Sequence, residues 1–160
     1  MIGEVYPIGR SPFLQDDDML VFTFVSEGRR AINKLVAFTP IIRNGLKCYN
    51  WAFGDYVVNN HDIILNDTHL ANNGDTKKVF YTVISTLFLF FERYPHAVVY
   101  IKGSDDRRTR LYVSLIARHW EEIKNLYEIK LWSNETVCQF NSDKDCDYIL
   151  VSLLRDRTFD

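Results

Sequence analysis

Cysteine, proline and glycine are all scarce in this chain of 160 residues, with three, four and seven of each. Cys48, Cys138 and Cys146 are odd in number and lack CxxC spacing, so they specify neither a disulfide framework nor a zinc site. A reducing, cytoplasmic setting is the expectation. No export signal is expected either, because the N-terminus runs through Glu4, Pro7, Arg10 and Pro12 into Asp16, Asp17 and Asp18. The longest apolar segment, Val79 to Phe91, spans 13 residues and is interrupted by Thr82, Ser85 and Thr86. A membrane helix needs roughly 20, so this segment reads as a buried helix and no membrane partner is expected. An excess of charge of one sign is missing as well: 19 Lys and Arg stand against 21 Asp and Glu, a formal net charge of -2. A globally basic nucleic-acid binder is excluded, and any such role would need a local patch.

Several chemical signatures are also absent. Neither GxxxxGK[ST] nor GxGxxG occurs, so nucleotide binding is not indicated, and no cofactor is expected. His61, His69, His96 and His119 are scattered without HExxH spacing. The run Asp143-Lys144-Asp145-Cys146-Asp147 alternates acids as a calcium loop does, but lacks the glycine at the sixth position and the glutamate at the twelfth, so no metal is expected. Ser104 lacks the GxSxG frame of a nucleophile elbow and reads as a helix N-cap.

What is present is a folded protein's composition, 47% hydrophobic with three Trp, nine Tyr and eleven Phe. Residues 1–18 read as an arm or loop, and 19–160 as a single α+β domain. Met19 to Ser26 and Ala31 to Pro40 form two antiparallel strands across the turn Glu27-Gly28-Arg29-Arg30. After Asn44-Gly45, an aromatic-rich strand from Leu46 to Tyr56 completes a three-stranded meander, with Gly54 marking a bulge or strand end. Asp62 to Leu65 is a short fourth extended piece. A helix begins near Gly74 or Asp75 and ends near Tyr94-Pro95; it is apolar almost all round and should be the buried central helix. A strand from Ala97 to Ile101 is followed by a second helix that starts after Ser104 and continues to about Leu126. Three short strands, Glu128 to Trp132, Val137 to Phe140 and Tyr148 to Leu154, complete a curved mixed or antiparallel sheet.

The most distinctive segment is Gly103-Ser104-Asp105-Asp106-Arg107-Arg108-Thr109-Arg110-Leu111-Tyr112. A helix N-terminus offers free N–H groups and partial positive charge, so three arginines there call for an anionic partner. At about 100° per residue Arg107 and Arg110 face solvent, while Arg108 turns inward to meet a carboxylate or a bound anion. Asp55 and Asp75 are the candidate partners. Ser104, Arg107, Arg108, Arg110, Asp55, Asn73 and Asp75 together make a candidate ligand site. Asp55, Asp75 and His119 are weaker candidates for proton transfer, since capping, pairing or burial explains them more simply. Tyr49, Trp51, Phe53 and Tyr56 on one strand are either core or a stacking platform.

Three stretches carry a resemblance: Ala52-Phe53-Gly54-Asp55; Asn72-Asn73-Gly74-Asp75 with Lys78-Val79; and Gly103-Ser104 with Arg108-Thr109-Arg110-Leu111-Tyr112. The chain resembles a family of small, uncharacterised bacterial proteins of about this length, from roughly Val21 to Val151. The resemblance implies a shared fold and a bacterial, cytoplasmic origin, and no activity. Three functional readings remain open. The first is a binding or interaction module whose cleft takes a phosphate, a nucleic-acid backbone or an acidic protein partner. The second is a small nuclease-like or transferase enzyme, such as the toxic half of a toxin and antidote pair. The third is a purely structural homodimer.

Overall fold

The computed structural model describes residues 3–10, 19–43, 45–60, 62–66 and 73–154. Asn44, His61, His69, Asn72 and the acidic run at 16–18 lie outside the described residues. The elements in chain order are β1 (Gly9–Arg10), β2 (Leu20–Glu27), β3 (Ala31–Arg43), β4 (Leu46–Asn59), β5 (Asp62–Asn66), α1 (Thr76–Arg93), β6 (Val98–Ile101), α2 (Asp106–Arg118), α3 (Trp120–Ile123), β7 (Tyr127–Ser133), β8 (Thr136–Gln139) and β9 (Tyr148–Leu153). The fold is α+β. One nine-stranded sheet has the order β1-β2-β3-β4-β6-β9-β7-β8, with β5 paired to the far half of β4. The meander β2-β3-β4 and the C-terminal strands meet at β4 and β6, whose pairing is parallel while every other pair is antiparallel. A parallel pair needs a crossover, and α1 supplies it.

Alternation along the strands sets the layers. Phe22, Phe24, Val36, Phe38, Tyr49, Trp51, Phe53, Val99, Ile101, Ile129, Leu131, Ile149 and Val151 belong to one core cluster with α1 and α2. The intervening residues, such as Val21, Leu35 and Ala37, form a smaller cluster on the opposite face. In the core Phe90 of α1 stacks on Phe38 at 4.5 Å and meets Tyr49 edge-on at 4.9 Å, which seats the central helix across β3 and β4. Tyr6, ahead of β1, is also buried there, its N–H donating to Thr82 Oγ1 of α1 at 2.9 Å.

Three local expectations are corrected. β4 neither bulges nor ends near Gly54, but continues to Asn59, because Gly54 pairs in regular register with Leu35 and β5 then extends the ladder. The helix after β6 is capped by Asp105 instead of Ser104: the Asp105 carboxylate accepts the Arg108 N–H at 2.8 Å. That helix is also not continuous to Leu126. It stops at Arg118, the His119 N–H reaches back to Leu115 and Ile116 carbonyls, and α3 restarts at Trp120. The His119 ring is stacked on Phe80 of α1 at 4.6 Å, so the break coincides with an anchor between the helices.

Candidate functional site

The β3–β4 register places Lys34 opposite Asp55, and both side chains turn to the helix side with Val36 and Phe53. Lys34 is only 2% exposed, and its ammonium donates to Asp55 Oδ1 at 2.5 Å. Such a cation is held inside by its carboxylate; either group alone would be strongly destabilising. Next to this pair, Trp51 stacks on Phe53 at 5.8 Å and meets Tyr112 of α2 edge-on at 5.2 Å. Between the sheet and the two helices lies a cavity of about 300 Å3. Lys34, Trp51 and Phe53 line it from the sheet, Asp75, Val83 and Leu87 from α1 and its cap, Tyr112, Leu115 and Arg118 from α2, and Tyr127 at the far side. Its walls are mostly apolar. Thr76, Leu111, Ser114 and Arg118 are exposed, so the opening lies between the facing edges of α1 and α2.

Buried polar atoms are nearly always hydrogen-bonded, so exceptions mark strain or ligand contacts. Among the described residues three buried side-chain atoms have no hydrogen-bond partner: Trp51 Nε1, Arg108 Nη1 and the Tyr127 hydroxyl. Two of these belong to residues lining the cavity. Burial pushes the Tyr127 phenol far above its usual range, which keeps it a neutral donor.

The arginine-rich helix start divides as its periodicity predicts. Arg107 and Arg110 are exposed, and Arg110 makes a 3.5 Å surface contact with Asp145. Arg108 is 8% exposed, one turn before Tyr112. Its stem packs so closely on Gly103 that a Cβ at that glycine would lie 2.5 Å from Arg108 Cβ. Ser104 is exposed, and Thr109 Oγ1 accepts the Gly103 N–H at 2.9 Å, tightening the turn.

The expected carboxylate partners of Arg108 are engaged elsewhere. Asp55 holds Lys34, and Asp75 Oδ2 accepts the hydroxyls of Tyr6 and Ser26, each at 2.5 Å. Asp75 occupies the cap position of α1 without a side-chain cap bond, because those hydroxyls take its oxygen. Among the described residues no ion pair joins Arg108 to Asp55 or Asp75. Asn73 is a clamp on the β2–β3 turn. Its amide donates to Arg30 O at 2.7 Å and Ser26 Oγ at 2.9 Å, its side-chain oxygen accepts the Arg30 N–H at 3.0 Å, and its carbonyl accepts the Arg29 N–H at 2.8 Å.

His119 lies between Phe80 and Tyr81, whose ring centroid is 5.2 Å away, and among the described residues no hydrogen bond joins it to Asp55 or Asp75, which hold Lys34, Tyr6 and Ser26. Burial, with the charges of Lys77 and Arg118, holds its imidazole below the usual range against the opposing pull of Glu122. The Tyr81 hydroxyl donates to Glu122 at 3.1 Å. The three candidates for proton transfer therefore share no hydrogen bond among the described residues. No group of three His, Cys, Asp or Glu that could hold a metal ion occurs among the described residues.

Sequence reasoning missed Lys34, Tyr127 and Arg118 as site residues. The signal for Lys34 was its phase: it alternates with Val36 and Phe38 and must share their buried face. Trp51 was read only as core or stacking surface. Comparison with curated proteins and with solved structures finds no match to the chain. A family model does match, over residues 9–154, and it takes in all three polar motifs, the cavity walls and every strand of the sheet. The chain therefore belongs to the family of unknown function DUF6934.

Proposed function

We propose that this protein is a binding module that takes a small, mostly apolar molecule with a hydrogen-bond-accepting group into the cavity between the sheet, α1 and α2. The observation that carries the reading is an apolar cavity of about 300 Å3 lined by a buried lysine and by two side chains with unbonded buried donors, Trp51 and Tyr127. Ligand sites of this kind are mainly apolar with a few placed polar groups. Arg108, one turn before Tyr112 on α2, is buried with a guanidinium nitrogen unbonded, but it is not among the residues that line this cavity. Arg107 and Arg110, which stand in solvent, have no part in this site. The mostly apolar lining of the cavity favours a small ligand over a nucleic-acid backbone or an acidic protein, either of which would be met by cations on the surface.

Nile red, a neutral apolar fluorophore, tests the reading directly. Its emission should rise on titration with the protein, and Val83→Phe, which fills the cavity from α1, should abolish the rise while leaving the circular dichroism spectrum unchanged. Equal binding by the folded variant, or none by the natural sequence, would reject the cavity as a binding site.

A further inference from the structure

The charges that line the cavity and its unbonded donors narrow the ligand class, and the step rests on the binding reading above. Three charged side chains belong to the lining: Lys34, Asp75 and Arg118. The Lys34 ammonium is neutralised by Asp55 at 2.5 Å, Asp75 Oδ2 is held by the Tyr6 and Ser26 hydroxyls, and Arg118 stands in solvent at the opening. A carboxylate in the interior would be repelled by Asp75 and an amine by Lys34. Either ion would lose its hydration without gaining a free counter-ion, which is costly in an apolar setting. The interior therefore suits an uncharged molecule.

Among the described residues, the lining holds two buried side-chain atoms without a hydrogen-bond partner, the Trp51 indole N–H and the Tyr127 hydroxyl, on residues more than nine-tenths buried. An indole can only donate, and burial keeps the Tyr127 phenol protonated, so each calls for an acceptor. Trp51, Ile101, Ile149 and Leu131 form one row across β4, β6, β9 and β7, and Tyr127 lies four residues before that row on β7. Three strand spacings of about 4.8 Å and four residues of about 3.3 Å put the Trp51 and Tyr127 Cα atoms on the order of 20 Å apart. One oxygen could not serve both donors, even with the two side chains turned toward each other. Ile101, Val151 and Ile129, which lie between the two in the sheet, line the intervening stretch with apolar surface. We infer that the ligand is an uncharged, elongated molecule with an accepting oxygen at each end of an apolar body, one oxygen received by Trp51 and the other by Tyr127. A diester or keto-ester chain has this character; a free fatty acid, an amine or a phosphate ester does not.

Displacement of Nile red from the full chain at neutral pH by dimethyl decanedioate, methyl decanoate, decanoate and decylamine tests the assignment. The diester should bind about fivefold more tightly than the monoester, since it satisfies both donors. Decanoate and decylamine should each bind at least about tenfold more weakly than the monoester. Tyr127→Phe and Trp51→Phe should each reverse the order of the two esters, because the diester then buries one ester group without a donor. Tyr127→Phe removes no hydrogen bond from the free protein, so it keeps the test decisive if Trp51→Phe fails to fold. A diester that binds no more tightly than the monoester, or an unchanged order in folded Tyr127→Phe, would overturn the inference of two accepting ends. Either ion binding as tightly as the monoester would overturn the uncharged assignment. If Nile red still binds in those events, only the ligand class falls; if Nile red does not bind the natural sequence, the cavity reading falls with it.

Discussion

An arginine that is nine-tenths buried with one guanidinium nitrogen unbonded lowers the stability of the free protein, since an unsatisfied buried donor costs about 1–3 kcal/mol. Methionine has a comparable stem and no such donor. Arg108→Met is therefore expected to hold or raise the melting temperature, read by differential scanning calorimetry. A drop in melting temperature of several degrees would instead mark the guanidinium as a structural tie. Asn73 behaves in the opposite way. Its side chain satisfies both backbone groups of Arg30 as well as Ser26, and Gly28 lies so close that a Cβ there would sit 1.8 Å from the Asn73 carbonyl oxygen. Asn73→Ala should cost about 2–3 kcal/mol in urea unfolding, because it leaves several turn groups unbonded at once. A loss well under 1 kcal/mol would show that water replaces the clamp.

At the scale of elements, the break between α2 and α3 fixes the angle at which the chain leaves the cavity wall. His119 sits in that break against Phe80 and Tyr81, and its folded-state proton affinity is lowered, chiefly by burial. The unfolded chain then binds a proton more readily than the folded one. Stability from this residue is fully present above about pH 6.5, the unfolded value, and is lost progressively as pH falls below it. The melting temperature of the natural sequence should fall from pH 7 to pH 5 with a slope that His119→Phe reduces; an unchanged slope would place the sensitivity in other groups. The break itself was hard to read from the sequence. Leu111, Tyr112, Leu115, Ile116 and Ile123 keep a helical period across it, so the pattern carried the expected helix straight through.

The strands were legible for a simple reason: β2, β3 and β4 are rich in β-branched and aromatic residues, and turn residues separate them. Gly54 misled because glycine in a strand usually signals a bulge, whereas here it only pairs flat against Leu35. The site was less legible than the fold. That Arg108 faces inward followed from its helical phase, but its partner did not. The choice between Asp55 pairing with Arg108 or with Lys34 depends on the register between β3 and β4, a relation between distant residues. The cavity depends on the sheet, α1 and α2 at once and left no local mark beyond an α1 sequence that is apolar almost all round.

For the whole molecule, the thiols report on intactness. Cys48 is buried, and burial raises its thiol above the usual range; burial together with the nearby Asp147 and Asp145 pushes Cys146 up to about 11. Reactivity follows the thiolate, so at pH 7.5 neither should be alkylated by iodoacetamide at the rate of a free thiol. Mass spectrometry should find both labelled quickly only after unfolding. Rapid labelling of Cys146 in the folded protein would mean that its loop opens from the core.

The position of β9 constrains how the chain can be made. From β1 to β4 the sheet grows in the order of synthesis, each strand joining the one just completed. Beyond β4 that rule fails: β9, the last described strand along the chain, is inserted between β6 and β7. Until residue 153 has left the ribosome, β7 and β8 have no edge to join and the cavity lacks Val151 from its floor. A nascent chain can build its first half strand by strand, but it must hold the second half open until translation reaches β9.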